Sequence, residues 1–93
     1  MENKFIQEIF DRYNHLIQFA SVLQRRKIDE YIINTVYRAA AYYAKDLLEF
    51  PESEIRATLE SHLESWGDVK NGVSSVIESI KDLNNYYNKK DNA

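Results

Sequence analysis

The sequence predicts an all-α chain packed as an antiparallel four-helix bundle, and three observations carry that expectation. Apolar residues recur at three- and four-residue steps through most of the chain, the period of a helix with a buried face. Pro51 and Gly67 fall between those periodic stretches, where helices end. The connections are short, and a short connection lays sequential helices side by side.

The first helix is expected from Asn3 to about Gln24, with Ile6, Ile9, Phe10, Tyr13, Leu16, Ile17, Ala20 and Leu23 along its buried stripe. Glu8, Asp11, His15 and Gln18 occupy the opposite face. Phe19 and Val22 fall outside the stripe, so they either widen the buried face or make an exposed contact. Arg25, Arg26 and Lys27 carry the charge that suits a helix C-terminus, and Asp29 with Glu30 suits the next N-terminus. The junction is placed there. No Gly or Pro marks it, which leaves a bent continuous helix as the alternative.

Residues 28–50, IDEYIINTVYRAAAYYAKDLLEF, form the predicted central helix. Ile28, Ile32, Val36, Ala39, Tyr43, Leu47 and Phe50 make one stripe, and Ile33, Tyr37, Ala40, Ala44 and Leu48 an adjoining one. Together they span roughly 200°, against about 100° for a helix buried on one flank, so neighbours on two sides are expected. Ala39, Ala40, Ala41 and Ala44 favour helix and let another backbone approach closely. Pro51 disfavours helical geometry in the residue before it, which ends the element at Phe50.

Pro51 or Ser53 opens a third helix, with Glu52 and Glu54 in a first turn that favours negative charge. Its stripe, Ile55, Leu59, Leu63 and Trp66, is narrow, which predicts an outer position. Gly67 reads as a stop and Asp68 as an N-cap. A fourth stripe follows in Val69, Val73, Val76, Ile77, Ile80, Leu83 and Tyr87. Residues 1–87 are thus expected to form a single domain, and the tail at 88–93, with nothing to bury, to fray. The first two helices are longer than the last two, so part of their apolar surface is left for a second copy of the chain, which predicts a homodimer.

Composition narrows the function classes. At 93 residues the chain has room for one core. Apolar residues at 44% and charged residues at 29% are those of a globular protein, neither disordered nor membrane-embedded. No apolar run approaches the roughly 18–20 residues of a transmembrane helix. The opening MENKFIQEIF has no secretory pattern, so a cytoplasmic location is expected. Cysteine is absent, which removes disulfides, thiolate metal sites and cysteine nucleophiles. A net charge of −3 gives no general attraction for nucleic acid. Aromatic residues at 13%, seven of them tyrosines, exceed what a small helical core needs, so some rings are expected at a surface.

No catalytic constellation emerges. Asp11 and His15 are one turn apart, but two ligands are not a metal site, and no cofactor is expected. His62, one turn before Trp66, reads as a ring packed on an indole. Arg56 to His62 spells RATLESH, and this Arg-to-His spacing resembles the RNase motif of HEPN-domain toxins, themselves helical bundles. The resemblance implies a dimeric, metal-independent RNase using Arg56 and His62; Ala57 stands where a polar residue is common in that family. The tribasic Arg25, Arg26, Lys27 offers another reading, contact with nucleic-acid phosphates.

The polar face of the central helix is more informative. Tyr31, Thr35, Arg38, Tyr42, Lys45 and Glu49 follow one another at helical spacing, and two rings flank an arginine. Tyr and Arg are the types that most often anchor protein interfaces. Tyr31, Arg38 and Tyr42 are therefore the predicted partner-binding residues, the alternative being that both tyrosines pack beneath outer helices. The leading expectation is a non-enzymatic interaction module that binds another protein as regulator, inhibitor or scaffold and associates with itself.

Overall fold

A computed structural model describes residues 3–89, leaving aside the side chains of Trp66 and Lys89. Four α-helices form the body: α1 (Lys4–Arg25), α2 (Glu30–Leu47), α3 (Glu52–His62) and α4 (Val69–Asn84). A 3₁₀ turn, Glu64–Trp66, follows α3, and a π turn, Asn85–Lys89, extends α4. No strand occurs among the described residues.

The antiparallel α1–α2 hairpin is the largest packing unit. The Tyr37 hydroxyl, in the first half of α2, donates to Gln24 Oε1 at the end of α1 (3.1 Å), while Tyr43, in the second half, lies beside Leu16 farther back. A closed turn makes this hairpin, not a bent continuous helix. Lys27 N–H donates to the Gln24 carbonyl and Ile28 N–H to the Leu23 carbonyl, the paired bonds of a Schellman stop. The residue at its left-handed position is Lys27, φ 56°, where glycine is usual. The Asp29 carboxylate then caps α2 by accepting from Tyr31 N–H at 2.8 Å.

α2 is one unbroken rod, two residues shorter at its start and three at its end than residues 28–50. Ala40, Ala41, Ala44 and Leu47 are fully buried and Ile33 nearly so. This side lies against α1 and α4. The other stripe stays partly open: Ile28 and Ile32 are 37% and 49% exposed, and Val36, Ala39 and Tyr43 are half-buried. Neighbours cover α2 on the alanine side; Ile28 borders a cavity with Ile33, Tyr37 and Tyr86, whereas Ile32 stays open on the opposite flank.

α3 packs chiefly on α4 and on the first half of α1. Glu52 ties its first turn to α4, with Lys81 Nζ 2.5 Å from one carboxylate oxygen and Arg56 3.8 Å from the other. The hydrogen bond from Lys81 lowers the Glu52 pKa and raises that of Lys81. Both groups are open to solvent, so the pair orients more than it stabilises. The buried stripe of α3 is Ile55, Thr58, Leu59 and then Leu63. Pro51 itself is the N-cap residue, without a side-chain hydrogen bond. Gly67 turns the chain into α4 with φ +80°, a conformation side-chain-bearing residues rarely adopt. The Asp68 carboxylate does not cap α4; its Oδ2 accepts from Asn71 Nδ2 at 2.6 Å.

The expected domain ends at residue 87, and the described residues continue two positions beyond it. Helical winding continues to Lys89, and Asn88 Nδ2 donates to the Ala41 carbonyl (3.1 Å) and to Asn84 Oδ1 (2.7 Å). A carbonyl of α2 therefore anchors a segment that has no apolar pattern of its own. Residues 90–93, and the packing expected of the Trp66 indole, lie outside the described residues.

The core joins all four helices through Ile6, Phe10, Tyr13, Ala40, Ala44, Leu47, Ile55, Leu59, Leu63, Val73, Ile77 and Ile80. Tyr13, 4% exposed, carries a titratable group into it. Burial, and secondarily Tyr37, push its hydroxyl from 10.0 up to about 12. Between these values the unfolded chain has released the proton that the folded chain keeps, so stability falls as pH rises. Below pH 10 the contribution is fully present. A loss of about 2 kcal/mol is expected between pH 10 and 12, and Tyr13→Phe should flatten this part of the stability profile in urea titrations.

Candidate functional site

Helical spacing places Tyr31, Thr35, Arg38, Tyr42, Lys45 and Glu49 on the side of α2 opposite Ala40, and all six are exposed. Tyr31 is 78% exposed and Tyr42 61%. These values exclude packing of either ring beneath an outer helix. The Thr35 hydroxyl turns back to the Tyr31 carbonyl (2.8 Å), leaving the strip to the two phenols and the guanidinium. Arg38 forms no ion pair within the described residues.

The exposed apolar surface extends beyond this strip. The α1–α2 hairpin has two sides. On one, Tyr13, Ile17 and Tyr37 meet Ser79, Asp82, Leu83 and Tyr86 of the α4 segment. On the other, Asp11, Arg12, His15, Leu16 and Tyr43 line an open groove. Phe19, 48% exposed, follows Leu16 by one turn, while Ile32, Val36 and Ala39 precede Tyr43 at helical spacing and share its flank. This open side is therefore apolar along much of its length, with Tyr31 and Tyr42 at its rim. The isoleucines read as core in the sequence, because periodicity shows which residues form a stripe and not how much of it a neighbour covers. Phe19, outside the main stripe of α1, was the available signal.

The other candidates separate from one another. His62 Nε2 lies 2.9 Å from Asp11 Oδ1, and the imidazole stands edge-on to Phe10, ring centres 6.4 Å apart at 89°. Asp11 thus reaches α3, and His15 stays exposed on its own helix. Arg56 donates instead to Ser74 Oγ of α4 at 2.9 Å. The chain does not bring Arg56 and His62 together, since one faces α4 and the other α1. Arg25, Arg26 and Lys27 are exposed at the hairpin turn. Among the described residues, no three His, Cys, Asp or Glu side chains gather as a metal site, and no helix is long and apolar enough to cross a membrane. Compared with protein families, with curated proteins and with solved structures, the chain matches none.

Proposed function

We propose that this chain is a non-enzymatic protein-interaction module of the cytoplasm, which binds another protein through Tyr31, Arg38 and Tyr42 and so regulates, inhibits or scaffolds it. One observation carries this reading: two tyrosines of the same helix stand 78% and 61% exposed on either side of an exposed arginine that makes no ion pair among the described residues. A ring held out on a helix has already lost much of its backbone freedom, so docking it costs less entropy than docking a loop residue.

The double substitution Tyr31→Lys/Tyr42→Lys is expected to abolish capture of the partner from an extract of the native host. The thermal melt should move by less than about 0.5 kcal/mol in stability, because neither ring is part of the core. Capture that persists in the double variant removes the tyrosines from the interface. A changed melt would place them in the fold instead.

A further inference from the structure

We propose that the cleft between α1 and α4 is a binding site for a small organic ammonium ion, a protonated primary amine carrying an alkyl arm. The site goes beyond the interaction surface on α2, since Tyr31, Arg38 and Tyr42 do not line it.

The cleft follows from how the helices pack. α2 lies against both α1 and α4, whereas α1 and α4 make no comparable contact with each other. A cavity of about 460 Å³ is left between them. That volume is in the range of small-molecule sites, which favour positions between the helices of a bundle. Ile17 of α1 and Leu83 of α4 give it apolar walls. Ser79 and Asp82 share the face of α4 that carries Leu83, at three- and four-residue steps, and Tyr86 follows one turn on.

Three observations select the ligand. First, Tyr13 is only 4% exposed, yet its hydroxyl makes no hydrogen bond among the described residues. Buried phenols usually find a partner. This one lines the cleft, so its bonding capacity is open to whatever enters. Second, the Tyr37 hydroxyl donates to Gln24 Oε1 at 3.1 Å, which leaves its oxygen lone pairs for a ligand. A donor is required there. Third, Asp82 is the one charged residue among those lining the cleft, and its carboxylate forms no ion pair or hydrogen bond among the described residues. Lys27 lines an adjoining cleft, where Glu30 accompanies it.

These groups together ask for N–H donors, a positive charge and an apolar tail. A primary ammonium places three donors on one point charge, and its alkyl arm covers Ile17 and Leu83. An anion is repelled by the Asp82 carboxylate, and a quaternary ammonium has the charge without the donors.

The test is a heteronuclear NMR titration of the purified full chain with n-hexylammonium chloride. A dissociation constant of about 1 mM is expected for a ligand of this size, with the shifts centred on Tyr13, Ile17, Tyr37, Asp82 and Leu83. Tetramethylammonium, without donors, and n-hexanol, without charge, should each bind about 10-fold more weakly, and n-hexanoate should not bind at about 20 mM. Asp82→Asn is expected to weaken hexylammonium binding about 10-fold, and Tyr13→Phe about 5-fold. Asp82 is exposed and the Tyr13 hydroxyl bonds nothing among the described residues, so both variants should fold, as circular dichroism will show. Asp82→Lys, at the same exposed position, should exchange the preference, admitting hexanoate and refusing hexylammonium. The absence of a saturating shift with hexylammonium below about 20 mM overturns the proposal. So do shifts centred on another face, tetramethylammonium, hexanol or hexanoate binding as tightly as hexylammonium, or an Asp82→Asn variant that binds unchanged. None of these results bears on capture through Tyr31 and Tyr42, which is tested separately.

Discussion

Phe10→Ala is expected to cost about 3–5 kcal/mol, the range for emptying an aromatic site in a packed core. Phe10 is 1% exposed and its ring borders Tyr13 at 6.3 Å and His62 at 6.4 Å, so the cavity would open where α1 meets α3. A domain of this size holds roughly 5–10 kcal/mol in total, and the variant should therefore be partly unfolded near body temperature. Phe5→Ala is the matched comparison. Phe5 lies on the same helix but is 71% exposed, and its truncation should change stability by less than about 0.5 kcal/mol. Urea midpoints at constant slope measure both. Equal losses at the two positions would mean that α1 is rotated from the orientation described.

Asn3→Ala is expected to cost about 2–3 kcal/mol, more than a helix cap alone supplies. The Asn3 Oδ1 accepts from Phe5 N–H (2.9 Å) and Ile6 N–H (3.3 Å), which caps α1. Its Nδ2 donates to the Glu54 carboxylate at 2.7 Å, and its own N–H to Thr58 Oγ1 at 3.2 Å. Thr58 is fully buried, and because its partner is the backbone N–H of residue 3 this last bond survives in the Ala variant, so the expected loss is that of the cap and the Glu54 bond. Asn3→Asp separates the two roles. Aspartate caps as well as asparagine in an isolated helix, but here it would set a second carboxylate against Glu54. The Asp variant is thus expected to be no more stable than the Ala variant at neutral pH, as thermal melts will show. A stable Asp variant would mean that the link to α3 contributes nothing.

The helices were legible because each carries its own period. Ile6, Phe10, Tyr13 and Ala20 in α1, and Val73, Ile77 and Ile80 in α4, are spaced so that one helical face collects them, and all are buried. The stop after Phe50 was legible because Pro51 restricts its neighbour whatever the rest of the chain does. The closed turn at Arg26–Asp29 was less so. Lys27 adopts a left-handed conformation that its residue type does not announce, and the Schellman bonds hold it there. Asn88 illustrates the same limit: its anchor is the Ala41 carbonyl, forty-seven positions away. In the candidate site, spacing put Tyr31, Arg38 and Tyr42 on one strip, whereas their exposure depended on where the other helices lie.

By itself, then, the sequence determined what repeats locally: four amphipathic helices, their breaks, and the residue types grouped on each face. The tertiary structure alone decided which of two apolar stripes on α2 is covered, that Asp11 turns to His62 and not to His15, and that Arg56 and His62 stay apart. The physical reason is range. Helix formation is governed by backbone hydrogen bonds and side chains within a turn or two of one another. Coverage depends on how much apolar area the remaining helices bring to each flank, and α1 and α4 bring it to the alanines and leave Ile32 open.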